Sequence, residues 1–184
     1  TEQGFWDVAR LSDKPLIVAG GGIINADVLL DSCGNYMLTA DGNDIHLGRI
    51  LENGSFEECD IKATSKGNIR STGELADFDI EVSSLKLLEY TYAPIRITGK
   101  ANDKGADATL ITDDPNVALS AKMEYRKGQK EQKMWLTLNV DSIIPNNLNL
   151  SERYQECRFA FDIECDHTIH PAGKSITNIK MRDF

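Results

Sequence analysis

His167 and His170, with Cys165 and Asp166 just before them, are the residues whose types best suit a metal ion. Their spacing of three would bring two imidazoles together on a helix. Here the pair follows a strand-like run directly and precedes Pro171-Ala172-Gly173, so the sequence reads as a solvated turn. Asp113 and Asp114 are adjacent carboxylates, the raw material of acid–base chemistry, but beside Pro115-Asn116 they read as a turn. Gly20-Gly21-Gly22 lacks the Lys-Ser/Thr of a phosphate loop, and no GxGxxG follows a strand. The acidic stretch around Asp41 lacks the ligand spacing of a calcium loop, and His46 stands alone. No Ser-His-Asp or Cys-His set has a physical reason to assemble. The expectation is a protein that is not an enzyme, with no catalytic residue, no metal and no cofactor.

The four cysteines, Cys33, Cys59, Cys157 and Cys165, lack the paired CxxC spacing of a zinc site. Cys157 and Cys165 lie on one strand about 26 Å apart, at roughly 3.3 Å of rise per residue, so they cannot bridge there. They read as small buried hydrophobes, with a Cys33–Cys59 bridge between neighbouring strands left open.

Composition bounds the rest. A chain of 184 residues with 41% hydrophobic and 27% charged residues can bury a core of its own. The net charge of -9 disfavours nucleic acid, whose phosphates need a basic footprint. No run approaches the roughly 18 apolar residues of a membrane span. The chain begins at Thr1, which fits a mature chain or an excised piece of a longer one.

The elements that carry these residues are strands. In Cys157-Arg158-Phe159-Ala160-Phe161-Asp162-Ile163-Glu164-Cys165 the apolar residues share one parity and Arg158, Asp162 and Glu164 the other. Successive side chains of a strand point to opposite faces, so this ribbon has one oily and one wet face. The same alternation recurs in Ile23–Leu30, Tyr36–Ala40, Cys59–Ala63, Ala76–Val82, Ala106–Leu110, Val117–Tyr125, Met134–Val140 and around Ile179 and Met181. Tyr90 and Tyr92, then Ile95 and Ile97, carry one strand to Gly99, with an edge, bulge or bend at Pro94. Asp41-Gly42-Asn43-Asp44 predicts a hairpin, and residues 126–133 a basic loop. Residues 1–22 form an N-terminal segment with a short helix around Phe5 to Arg10. Residues 23–184 form a single elongated β-rich domain, an antiparallel meander. Such a meander covers its oily face by closing into a barrel, by packing as a sandwich, or by folding into a trough that hosts something apolar.

Residues 74–150 resemble the β-rich repeat of the TamB family, AsmA-like components of the translocation and assembly module, in its Bacteroidetes-type form. The resemblance is carried by Asp79-Ile80-Glu81-Val82, by Leu88-Glu89-Tyr90-Thr91-Tyr92-Ala93-Pro94-Ile95-Arg96-Ile97-Thr98-Gly99, by Ala106-Asp107-Ala108-Thr109-Leu110, by Asp114-Pro115-Asn116-Val117-Ala118-Leu119 and by Leu148-Asn149-Leu150. It covers roughly two fifths of the chain. The chain departs from the family in its shortness, its four cysteines and the interruption at Pro94.

The resemblance implies an internal fragment of a periplasmic protein, anchored in the inner membrane when full length, whose outer-membrane barrel partner is met by regions outside the fragment. It implies an all-β fold, a curved antiparallel meander folded into an open, taco-like trough with a hydrophobic concave face. Its implied function is passage of phospholipid between the inner and outer membranes, outer-membrane protein assembly, or both. Phe78, Ile80, Val82, Leu119, Met123, Leu136, Leu138, Phe159, Phe161 and Ile163 are then the groove residues that meet acyl chains. Arg126, Lys127, Lys130 and Lys133 are candidates to meet lipid phosphates, against the plainer reading as a solvated loop. A closed barrel or sandwich binding a discrete small apolar ligand is the alternative, and a scaffold whose open edges accept client strands is a third.

Overall fold

Period-two alternation becomes one continuous antiparallel sheet. The computed structural model describes residues 7–10, 16–17, 22–50, 52–70, 76–92, 94–150, 153, 157–170 and 175–183. Its strands are β1 (Asp7–Arg10), β2 (Leu16–Ile17), β3 (Ile23–Leu30), β4 (Asn35–His46), β5 (Phe56–Asn68), β6 (Ala76–Leu87), β7 (Tyr90–Tyr92), β8 (Ile95–Asn102), β9 (Gly105–Asp114), β10 (Val117–Lys127), β11 (Gln132–Ile143), β12 (Phe159–Ile169) and β13 (Ser175–Asp183), with one helical turn, α1 (Leu47–Ile50). They hydrogen-bond in the order β1-β3-β4-β5-β6-β8-β9-β10-β11-β12-β13, with β2 beside β3 and β7 beside β6. The chain is all-β, and the sheet is open. β1 and β13 do not pair, so it is not a barrel, and the described strands form one sheet rather than the two of a sandwich.

Several local expectations change. Residues 7–10 form a strand paired with β3 rather than part of a helix; Phe5 and Trp6 lie outside the described residues. Asp41-Gly42-Asn43-Asp44 makes no hairpin, because β4 runs through it with a bulge between Gly42 and Ile45. Asp44 takes a φ of 54° there, and its N–H donates to Asp60 Oδ1 at 2.9 Å. Side chains of Ile45 and Ile61 close over Gly42, so the glycine serves close approach rather than a turn. The strand expected through Pro94 splits into β7 and β8, both paired with β6. β10 and β11 absorb half of the predicted basic loop, leaving residues 128–131 between them. Cys33 and Cys59 cannot bridge. Asn68 Nδ2 donates to the Cys33 carbonyl at 3.3 Å, and Asn68 lies nine residues along β5 from Cys59, about 30 Å at strand rise. All four cysteines are free.

Registers join residues of like character across the sheet. One row runs Ala26-Ala40-Ala63-Ile80-Ile97-Leu110-Ala121-Leu138-Ile163-Met181, each paired with the next. A flanking row runs from Val28 through Phe78, Met123 and Leu136 to Ile179, and the other from Ile24 through Val82, Leu119 and Val140 to Phe161. Ten strands therefore share one apolar face about 43 Å across, taking 4.8 Å per strand gap. The reverse face carries charge ladders: Lys66 and Lys100 flank Asp77 at 3.6 and 3.4 Å, and Arg126 meets Asp107 at 2.7 Å. Such cross-strand pairs of opposite charge favour this register over a slip.

Candidate apolar binding face

All ten predicted groove residues lie on the apolar face. Ile80 and Val82 alternate with Glu81 on β6, Met123 pairs with Leu136, and Leu138 with Ile163. Leu119 pairs with Val140, which pairs in turn with Phe161, and Phe159 pairs with Ile143. Phe78 fills the space over Gly99, where an added Cβ would collide with its ring and with the Asp107 carbonyl. Most of these side chains are only half-buried, and Phe159 is 39% exposed. Ile97 and Leu110 stand in the central row between Ile80 and Ala121 but were not among the predicted groove residues. Alternation marks them as apolar strand residues, whereas cross-strand register leaves no mark in a single sequence.

On this face a depression of about 530 Å³ is lined by Ile143, Pro145, Phe159, Phe161 and Met181, with Arg158 beside them. Two larger concavities, of about 720 and 700 Å³, are lined mainly by the side chains of the reverse face. The larger spans β4 to β10 and holds Lys66, Asp77, Asp79, Lys100, Lys122 and Glu124.

Among the described residues the apolar face is sealed at one end only. The Tyr90 hydroxyl donates to Asp114 Oδ1 at 2.6 Å, and Asn116 Nδ2 donates to the Tyr90 hydroxyl oxygen at 2.9 Å. Asn147 Nδ2 donates to Asn116 Oδ1 at 2.7 Å, and Asn149 Nδ2 to the Leu88 carbonyl at 2.8 Å. These bonds hold residues 144–150 across the ends of β6 to β11, where Asp114, Val117, Val140 and Leu148 are buried. Asp114 is thus a latch in a polar cluster, and its neighbour Asp113 is exposed, so the two carboxylates form no acid–base pair. Burial, and then the bond to Asp114, pushes the Tyr90 phenol above its ordinary range.

The remaining candidates also find places. His167 stands on β12 rather than in a turn, its Nδ1 2.7 Å from Thr177 Oγ1. His170 lies 4.0 Å from Glu131, and His46 3.6 Å from Glu58. Among the described residues no three His, Cys, Asp or Glu side chains gather to hold a metal. Of the four basic residues, Arg126 is held by Asp107 and Lys133 by Glu131 at 2.8 Å. Burial pushes the Cys59 thiol up, and Asp60 adds to it. Among the described residues no helix is long and apolar enough to cross a membrane.

The chain matches no protein-family model, no curated protein and no solved structure. The resemblance to TamB therefore rests on the residues that carry it.

Proposed function

We propose that the chain is a periplasmic segment of a TamB-like protein whose apolar sheet face is the inner wall of a trough for phospholipid acyl chains. The observation that carries this reading is the unsealed apolar face: two lateral rows cross ten strands and a third crosses nine, without a covering layer among the described residues. At about 43 Å the rows exceed the roughly 30 Å hydrocarbon core of a bilayer, so a whole acyl chain fits along them. Hydrophobic contact is non-directional, and each buried methylene contributes roughly 0.8 kcal/mol, so such a wall holds tails without selecting a headgroup. Passage between membranes then needs a continuous oily path and no bond chemistry. The depression at Phe159 and Phe161 is one seat for a tail.

Lipid extraction from the purified protein, followed by mass spectrometry, tests this. Co-purifying phospholipid is the expected result, and a lipid-free protein overturns the proposal. Leu136→Asp and Phe161→Asp sharpen it. On a lipid-bearing wall both variants keep their strand circular dichroism and lose lipid, whereas in a sealed core an unpaired buried charge unfolds them. A role in outer-membrane protein assembly gains support from β13, an edge strand whose Ile176, Ile179 and Met181 are 56%, 67% and 59% exposed. Site-specific crosslinking along β13 captures an unfolded barrel client under that role and captures none without it.

A further inference from the structure

On the charged reverse face one aromatic side chain breaks the pattern. Trp135 is 37% exposed and lines the concavity of about 700 Å³ across β11, β12 and β13. Register sets Trp135, Asp166 and Asn178 in one lateral row and Thr137, Glu164 and Lys180 in the row beside it. Cross-strand neighbours stand about 5 Å apart, so the six side chains form a patch two rows deep and three strands wide.

Elsewhere on this face several acidic groups are matched by basic neighbours. Asp77 is shared by two lysines, Arg96 clasps Asp79, Arg126 clasps Asp107, and at the patch edge Arg182 reaches Glu164 at 3.7 Å. Around the indole the arrangement differs: the side chains of Thr137, Asp166, Asn178 and Lys180 make no hydrogen bond to another described residue. A flat apolar ring thus lies among hydroxyl, carboxylate, amide and ammonium groups whose donors and acceptors remain available.

We propose that this patch binds a neutral pyranose ring of a glycan. A pyranose has the matching two-sided chemistry. Its C–H face stacks on the indole, and its ring of hydroxyls, each donor and acceptor, meets Asp166, Asn178 and Thr137. A fully apolar ligand would leave those polar groups without partners, and a flat apolar wall lies on the other face of the same sheet. With Arg182 already answering Glu164, it is Asp166, in the same row as the indole, that disfavours an anionic sugar at the stacking position. The concavity falls within the 300–1,000 Å³ range of small-ligand sites.

Indole fluorescence tests the assignment, because Trp6 and Trp135 are the two tryptophans of the chain and Trp6→Phe leaves one reporter. Titration with cellohexaose and with chitohexaose is expected to give a saturable change for at least one, with a dissociation constant of about 1 mM or tighter. Saturation-transfer NMR on the chain carrying its native Trp6 gives the same answer without the reporter substitution. Trp135→Ala weakens binding at least tenfold, Trp135→Tyr keeps it within a few-fold, and Asp166→Ala weakens it several-fold, all with unchanged strand circular dichroism. No saturable response to either oligomer, equal binding by Trp135→Ala, or tighter binding of polygalacturonate than of the neutral oligomers overturns the proposal.

Discussion

Ile45, Cys59, Val117, Val140 and Leu148 are buried, and all lie toward the end of the strands where α1 and residues 88–92, 115–116 and 144–150 make the turns. Toward the opposite end, where residues 31–34, 103–104 and 128–131 turn, no hydrophobic side chain among the described residues is buried. The two ends belong to the same strands and carry the same alternation, so alternation does not account for the difference. What differs is the connection. The described turns at the open end return no segment over the sheet, whereas residues 144–150 return one and fix it with asparagine side chains. The lesson is that the core of this molecule sits at a rim, and beyond that rim the apolar face has no covering layer among the described residues.

Identical substitutions on either side of the rim give the largest contrast. Leu148, 1% exposed, becomes a cavity when cut to Ala, and the loss is expected at about 2–5 kcal/mol. Leu136, half-buried in the open row, loses roughly 1 kcal/mol for the same change, because much of its surface already meets solvent. Urea unfolding of the two variants measures both. Equal losses would mean that the open face is covered in solution and that the comparison is wrong.

Hydroxyl deletions make the same comparison for polar groups. Tyr90→Phe takes a donor from Asp114, a carboxylate 3% exposed, and is expected to lose about 1–3 kcal/mol. Tyr125→Phe, at the open end, removes a bond to Gln132 Oε1 of 3.0 Å and is expected to stay within about 0.5 kcal/mol. Thermal melts of the pair check the ordering.

How legible this was in the sequence differs between the two regions. Ile23–Leu30 is bounded in the structure as the alternation bounds it, and parity puts the groove candidates of each strand on one side, while the registers bring those sides together. The sealed end was misread or unread. Asp41-Gly42-Asn43-Asp44 has the composition of a hairpin, but its neighbours on both sides continue to pair through it, and a bulge results. The turn read at Asp113-Asp114-Pro115-Asn116 does join β9 to β10, with the Asn116 N–H donating to Asp114 Oδ1, but the bond from Tyr90 to Asp114 spans 24 residues, beyond any local rule. Residues 88–90, 114–116 and 148–150 all carry part of the resemblance, yet nothing in their local sequence links them to one another. The structure brings them together as one hydrogen-bonded latch.

That latch also holds a turn the sequence does not favour. Leu88 and Glu89 take φ of 53° and 63° in the two-residue connection of β6 to β7, a conformation that suits Asn-Gly. Left-handed backbone costs about 1–2 kcal/mol per ordinary residue. Bonds from the Leu88 N–H to the Ser55 carbonyl, from the Glu89 N–H to Glu57 Oε1 and from Asn149 to the Leu88 carbonyl hold it in place. Replacing Leu88-Glu89 by Asn-Gly is expected to stabilise the chain by about 1–2 kcal/mol in chemical denaturation. Destabilisation would show instead that the Leu88 side chain is part of the seal.

Acid produces the smallest effect and reaches the face that neither region uses for its core. Arg96 lowers the Asp79 carboxyl by hydrogen bond and charge, and Lys133 and Lys86 do the same for Glu131 and Glu57. A carboxylate whose folded pKa is depressed adds stability above its unfolded value, and that share disappears as pH falls through the folded value. For these groups the loss therefore begins below the ordinary carboxylate range near 4. All three are solvent-exposed, so salt screens them, and the acid-dependent loss should shrink as sodium chloride is raised. Melting temperature followed from pH 7 downward, with and without added salt, reads this directly. Arg96→Gln should flatten the Asp79 share of the acid limb while leaving the difference between Leu148→Ala and Leu136→Ala unchanged. If Arg96→Gln also narrows that difference, the charged face is coupled to the latch, and the two faces of the sheet are not independent.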